Sequence, residues 1–269
     1  MMTSSRSDGT HRMTASNSTC RKNQRWPCQA ALVVLLLISS HAYAADTAAE
    51  RLVRAADAIR LPQNDFQVEV AITNVSSDGE REERRYRVLS KGHDDTVIQT
   101  LYPPTERGQI LLMKGRDLWA FMPAVSQPIR LSLAQRLTGQ VANGDLARAN
   151  FAGDYTASML RSDTLEGSVY HVLQLRAVDR SVTYAHVLYW VAKKDARPYK
   201  AEFYSASGRL LKTCLYRDYQ NAGGALRPTK LIIEDALRRG DQSILDYSHY
   251  SVRPLPDKLF SKDYLKKLQ

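Results

Sequence analysis

The chain predicts an α+β fold that is mainly β: one strongly curved antiparallel sheet with a few helices packed against it. Three observations carry this expectation. From Phe66 onward, run after run alternates apolar and polar side chains with the period of two of a β-strand. The runs are joined by short turns rich in Gly, Asp and Ser, too short for a parallel crossover, so neighbouring strands are antiparallel. About eleven or twelve strands are expected, and a sheet of that size curls or closes instead of lying flat.

Ahead of the sheet the chain reads as an export signal. Arg21, Lys22 and Arg25 form a positive region, Ala30 to Ser40 is an apolar or small run, and Ala42-Tyr43-Ala44 is the small-x-small triplet of a cleavage site. The run holds eleven residues, well short of the roughly 20 that a membrane-spanning helix requires. Residues 1–44 are therefore assigned to a signal peptide with a long polar start that includes Met13, and residues 45–269 to a single exported domain. Cleavage near Ala44 removes five basic residues and one acid, taking the formal charge from +10 to about +6. It also removes Cys20 and Cys28, leaving Cys214 without a disulfide partner. No Cys follows the cleavage triplet, so no lipid anchor is expected. About 225 residues can rest on a hydrophobic core alone. An exported basic domain rarely meets nucleic acid; a solvated basic surface is the plain reading and an anionic membrane the functional one.

Residues 46–59 are helical in period, with Leu52, Val53, Ala56 and Ile59 on one side, and Leu61-Pro62 ends the helix. Strands are predicted over Phe66–Ile72, Arg84–Leu89 and Thr96–Leu101, then as a hairpin of Ile110–Met113 and Leu118–Met122 about Lys114-Gly115-Arg116-Asp117, then over Ile129–Leu131. From Ser132 the pattern changes: Leu133 to Leu137 suits a short helix, Thr138 to Asp145 a polar loop, and Leu146 to Phe151 another helical turn. Strands resume at Val169–Leu175, Ala185–Val191, Tyr199–Tyr204, Leu210–Tyr216, Thr229–Glu234 and Ser243–Val252. A terminal helix follows Ser261, with Tyr264, Leu265 and Leu268 on one side.

Little in the chain advertises catalysis. A G-x-S-x-G elbow, a Gly-rich phosphate cradle and an H-E-x-x-H pair are all missing, and His93, His171, His186 and His249 lack partners at metal spacing. No catalytic residue, metal or cofactor is expected. Asn74-Val75-Ser76 matches a glycosylation acceptor but is a frequent chance triplet. The aromatics of the central strands (Trp119, Phe121, Tyr184, Tyr189, Trp190, Phe203, Tyr204, Tyr216) read mostly as core, with an apolar pocket as the functional alternative.

One stretch carries a resemblance. Gly108 to Pro123 reads GQILLMKGRDLWAFMP, followed by Ile129-Arg130-Leu131-Ser132, Arg136-Leu137-Thr138-Gly139-Gln140 and NGDLARANFAGDY over Asn143–Tyr155. This resembles the outer-membrane lipoprotein-sorting-protein-like family, relatives of the LolA and LolB carriers. Tyr199 to Tyr204, Gly208 with Leu210-Leu211-Lys212, and Gly224 with Arg227-Pro228-Thr229 agree with its second half. One departure is Leu146-Ala147-Arg148-Ala149, where such proteins often carry an aromatic and further acids. The resemblance implies a periplasmic protein whose unclosed β-barrel is covered by helices over a hydrophobic cavity. It implies acyl chains of lipoproteins, or lipids, as cargo and an inner-membrane transporter of ABC or RND type as partner.

The function expected is therefore that of a monomeric, non-enzymatic periplasmic carrier, with the helical insertion or the terminal helix as lid. Candidate cavity residues are Leu111, Met113, Leu118, Trp119, Phe121, Met122, Leu188 and Trp190, drawn from both faces because alternation alone does not say which face is concave. The alternative is an envelope-stress sensor that binds a membrane-bound regulator; a hydrolase lacks a visible nucleophile–base pair.

Overall fold

The structure, a computed structural model, describes residues 48–92, 94–148 and 150–266. The expected signal peptide lies outside them, and among the described residues no helix is long and apolar enough to cross a membrane. Helix α1 occupies residues 48–60. The strands of the first half are β1 (Phe66–Val75), β2 (Arg81–Lys91), β3 (Asp95–Tyr102), β4 (Ile110–Lys114), β5 (Asp117–Phe121) and β6 (Ile129–Leu131). An insertion follows: β7 (Arg136–Thr138), β8 (Val141–Ala142) and helix α2 (Asn143–Ala147). The second half comprises β9 (Tyr155–Leu165), β10 (Ser168–Ala177), β11 (His186–Ala192), β12 (Pro198–Tyr204), β13 (Leu210–Ala222), β14 (Ala225–Asp235) and β15 (Gln242–Val252), then α3 (Lys262–Lys266).

Thirteen strands form one sheet in the order β6-β5-β4-β3-β2-β1-β15-β14-β13-β12-β11-β10-β9, with every described pairing antiparallel. β6 and β9 end the order without meeting, so the sheet stays open. Register shifts in β1, β2, β10, β11 and β12 mark bulges, the device that bends a strand and deepens its twist. The curl expected from strand number thus has an identifiable local cause.

Alternation sorts the two faces. On β4, Met113 joins one apolar cluster and Leu112 another; on β5, Leu118 and Trp119 divide the same way, as do Ile98 and Val97 on β3. The first cluster unites inward residues from β1 through β5 with residues from β9 through β15, which only a concave face can do. Ala49, Val53 and Ala56 of α1 and Leu133, Val141, Leu146 and Phe151 of the insertion complete it. The second cluster lies on the opposite face, where Leu255, Phe260 and Leu265 of the C-terminal segment cover Leu89, Val97, Ile110, Leu112 and Phe121.

Three expectations require correction. The helix expected at Leu133–Leu137 is instead the two-stranded ribbon β7–β8, and the following helix begins at Asn143, not Leu146. β9 is an additional strand, at an exposed edge. The terminal helix packs on the convex face and so is not a lid; the insertion and α1 cover the concave face.

Gly139, between β7 and β8, has a left-handed φ of 48°, and a Cβ built there would stand 1.9 Å from Asn74 Oδ1. Gly139→Ala is expected to cost about 2 kcal/mol, combining left-handed strain with displacement of Asn74. Urea unfolding checks it, and a change under about 0.5 kcal/mol, the usual range for surface substitutions, would show that this contact yields freely.

Candidate functional site

The insertion is held over the concave face by four polar clamps. At one end, Asn74 Nδ2 of β1 donates to Thr138 Oγ1 (2.7 Å), Ser243 Oγ of β15 donates to Asn74 Oδ1 (2.7 Å), and Gln140 N donates to Ser243 Oγ (2.9 Å). Next, Lys212 of β13 reaches up to pair with Asp145 of α2 and donates to the Gln140 carbonyl (2.8 Å). Asp145 also accepts from Tyr184 Oη (2.9 Å) and from Ala142 N (2.7 Å). Gly144 is required beside it, because a Cβ there would meet Thr183 Oγ1 at 2.0 Å.

The third clamp joins the insertion to α1. Asp57 accepts the backbone N–H groups of Phe151 (2.9 Å) and Ala152 (2.8 Å) and pairs with Arg60 (3.3 Å), all three groups being buried or nearly so. The Arg60 guanidinium lies 4.6 Å from the Phe151 ring centre and 5.4 Å from that of Tyr216. Arg227 of β14 donates to the Ala58 (2.9 Å) and Ile59 (3.1 Å) carbonyls, satisfying the last turn of α1. The fourth clamp is more exposed: Arg148 and Arg116 converge on Asp154, Arg148 also reaches Asp94 (2.9 Å), and Arg116 pairs with Asp179.

Beneath the clamps lies an aromatic interior. Phe151 packs edge-on to Tyr189 (5.0 Å, 83°) and Tyr155 (5.6 Å, 90°), and Tyr184 leans on Phe203 at 4.5 Å. Ile233, Leu245 and Cys214 help wall the chamber from the sheet side. Burial pushes the Cys214 thiol from its ordinary 9.0 up to about 12 and raises Tyr184, which also faces the Asp145 carboxylate, well above the tyrosine range. The chamber offers about 40 Å³ to a water-sized molecule, and a second space beside Phe66, Val88, Leu146 and Tyr247 about 30 Å³. Ligand sites for small molecules measure roughly 300–1,000 Å³. As folded here, the interior is closed and nearly full, and anything of acyl length requires the lid to move.

The sequence candidates divide by face. Leu111, Met113 and Leu118 belong to the concave cluster, towards the β4–β5 edge, outside the aromatic chamber. Trp119 and Phe121 lie on the convex face under the C-terminal segment, where Lys262 Nζ stands 3.6 Å from a Trp119 ring centre. Leu188 and Trp190 share a third cluster, also on the outer face, with Tyr170 and Val172, and Trp190 Nε1 donates to Asp163 (2.9 Å). Met122 is half-buried just beyond β5. The chamber is lined instead by Tyr184, Phe203 and Tyr216, noted among the central aromatics, and by Arg60, Asp145 and Phe151, with Tyr189 packed against Phe151. Two of these, Asp145 and Phe151, stand inside the NGDLARANFAGDY stretch.

Known proteins place this architecture. A family model described as an uncharacterized protein matches residues 92–267. No curated protein matches the chain. Among solved structures, a DUF1329 family protein from Desulfovibrio piger aligns with a TM-score of 0.72 at 20% identity, covering 82% of this chain and 99% of that one. A domain from Vibrio parahaemolyticus, named for outer-membrane lipoprotein sorting, aligns at 0.70 and 20% identity with the same coverage, and these two likenesses speak to the fold. A LolA superfamily protein from Nitrosomonas europaea is 57% identical, with a TM-score of 0.77, covering 80% of this chain and 98% of that one. With identity of that order across nearly the whole of such a relative, the chain belongs to the LolA superfamily.

Proposed function

We propose that this protein is an exported, non-enzymatic carrier that holds lipoprotein acyl chains, or another lipophilic cargo, between the concave face and the insertion. The observation that carries the reading is the pairing of an aromatic interior with a lid fastened by charged and hydrogen-bonded clamps. Acyl burial yields about 0.8 kcal/mol per CH₂, so ten methylenes supply about 8 kcal/mol, enough to offset one or two broken clamps. The same arithmetic allows release: a partner that re-forms the clamps drives the cargo out. The export signal supports a periplasmic site of action, and an inner-membrane transporter of ABC or RND type is a matching source or recipient of cargo.

Native mass spectrometry of the protein purified from the periplasm tests this, with bound lipid or an acylated peptide expected. Delipidated protein that takes up no acylated peptide would overturn it. Tryptophan emission is a poor readout, because Trp119 and Trp190 lie on the outer face.

A further inference from the structure

A third, larger concavity lies outside the lid, where the β9–β10 turn, the β11–β12 turn and β13 meet: a surface groove of about 700 Å³. Its wall is aromatic and cationic. Tyr170 and Tyr199 stack at 4.6 Å, the Arg217 guanidinium sits 5.0 Å over Tyr199, and Arg197 lies 5.4 Å over Tyr219. The acids bordering the groove already have partners. Asp195 is held by Arg197, Asp218 by Lys230 (3.0 Å), and Glu166 accepts from Tyr199 Oη (3.0 Å) and faces Arg217 at 3.9 Å. Lys193 and Lys194 are exposed on the rim and form no ion pair among the described residues, so the groove has surplus positive charge.

The backbone singles out the same place. Asp218 has a left-handed φ of 51° inside β13, and Glu166 (49°) and Ala196 (58°) hold similar angles in the two turns. These are three of the four non-glycine residues with positive φ among the described residues. Glu166-Gly167 is a two-residue hairpin turn, which takes left-handed angles at both positions, and Ala196 lies in the β11–β12 turn, so Asp218 is the one of the three inside a strand, where such strain costs on the order of 1–3 kcal/mol. Tyr216 borders both this groove and the interior chamber. Tyr216 is thus the point at which a head group in the groove comes nearest the chamber.

We infer that this groove binds a phosphate group, carried on the head of an amphiphile or free in solution. The amphiphile form rests on the carrier reading above; the phosphate site itself does not. Titration calorimetry with dodecyl phosphate, dodecyl maltoside and inorganic phosphate separates the two. Dodecyl phosphate is expected to bind about tenfold more tightly than dodecyl maltoside, and the double variant Lys193→Gln/Lys194→Gln to lose about that factor for dodecyl phosphate alone. Arg238→Gln/Arg239→Gln, in the β14–β15 turn at the opposite end of the sheet, removes the same charge and should change nothing. Inorganic phosphate binding as tightly, with the same loss in the lysine variant, assigns the groove to free phosphate. Failure of dodecyl maltoside alone counts against the carrier and leaves the groove standing. Unchanged phosphate binding in the lysine variant, equal losses in both variants, or equal competition by a phosphate-free acidic peptide overturns the inference.

Discussion

Asp57→Ala is expected to lower the unfolding free energy by about 3–5 kcal/mol, the cost of breaking a buried ion pair from one side. The carboxylate serves three groups: two backbone N–H groups of the insertion and the Arg60 side chain on its own helix. Alanine withdraws the acceptor from Phe151 and Ala152 and leaves the Arg60 charge in the aromatic interior without its carboxylate. For a domain of this size each kcal/mol moves the melting temperature by about 2–4 °C, so a fall of about 10 °C is the matching thermal signal. Asp57→Asn, which keeps a carbonyl acceptor, should lose less, and Asp57→Ala/Arg60→Met should regain part of the loss because no charge remains buried. Guanidinium unfolding of the three variants decides the matter. A loss below about 1 kcal/mol for Asp57→Ala would mean that water already reaches this carboxylate.

Lys212→Met is expected to act on the lid more than on the sheet. Lys212 is 5% exposed, and its ammonium joins Asp145 and the Gln140 carbonyl while lying 4.9 Å from the Tyr184 ring centre. Methionine fills similar volume but leaves Asp145, among the described residues, with Tyr184 and Ala142 as donors. If opening becomes easier by about 2–3 kcal/mol, the open population rises about 30- to 150-fold. Cys214 reads this directly. It lies inside the chamber, its raised pKa leaves the closed thiol far less ionised than an ordinary one, and a chain starting at residue 45 has no other cysteine. Modification by a thiol reagent at pH 8 should accelerate by the same 30- to 150-fold. The nearby Lys212 charge lowers the Cys214 pKa, so its removal alone would slow the reaction; acceleration can come only from opening. An unchanged labelling rate alongside reduced global stability would show that lid and sheet open together.

The strands of the sheet were legible because one face is dry and the other half-wet, which imprints a period of two. β9 was not, because TASMLRSDTL is exposed along most of its length at the sheet edge and shows no apolar alternation. β7 and β8 span three and two residues, too short to carry a period, and are stabilised by contacts with Asn74 and Ser243. α2 begins on Asn143 and Gly144, weak helix formers tolerated there because Asn143 Nδ2 donates to the Ser132 carbonyl (3.0 Å) and Gly144 must clear Thr183. The interior was the least legible. Arg60 follows Ala56 by four residues and Val53 by seven, and Asp57 follows Val53 by four, so both share the buried side of α1; their charge disguises this, and part of what pairs with them comes from the distant insertion. The tryptophans were attractive by residue type, yet facing direction depends on which neighbour each alternates with, and one sequence leaves that sign undetermined.

The fourth clamp stands at the surface. Asp94 is 71% exposed and Asp179 49%, so the pairs they form with Arg148 and Arg116 lie within reach of dissolved ions, whereas Asp57 and Lys212 are shielded. At physiological ionic strength the screening length is about 8 Å, and it shortens as salt rises. One hinge of the lid is thus set by the surrounding medium and the others by the protein. Raising salt should therefore loosen this end of the lid and leave the buried clamps and the sheet unchanged; under the carrier reading proposed above, the dwell time of a bound molecule would shorten as salt rises.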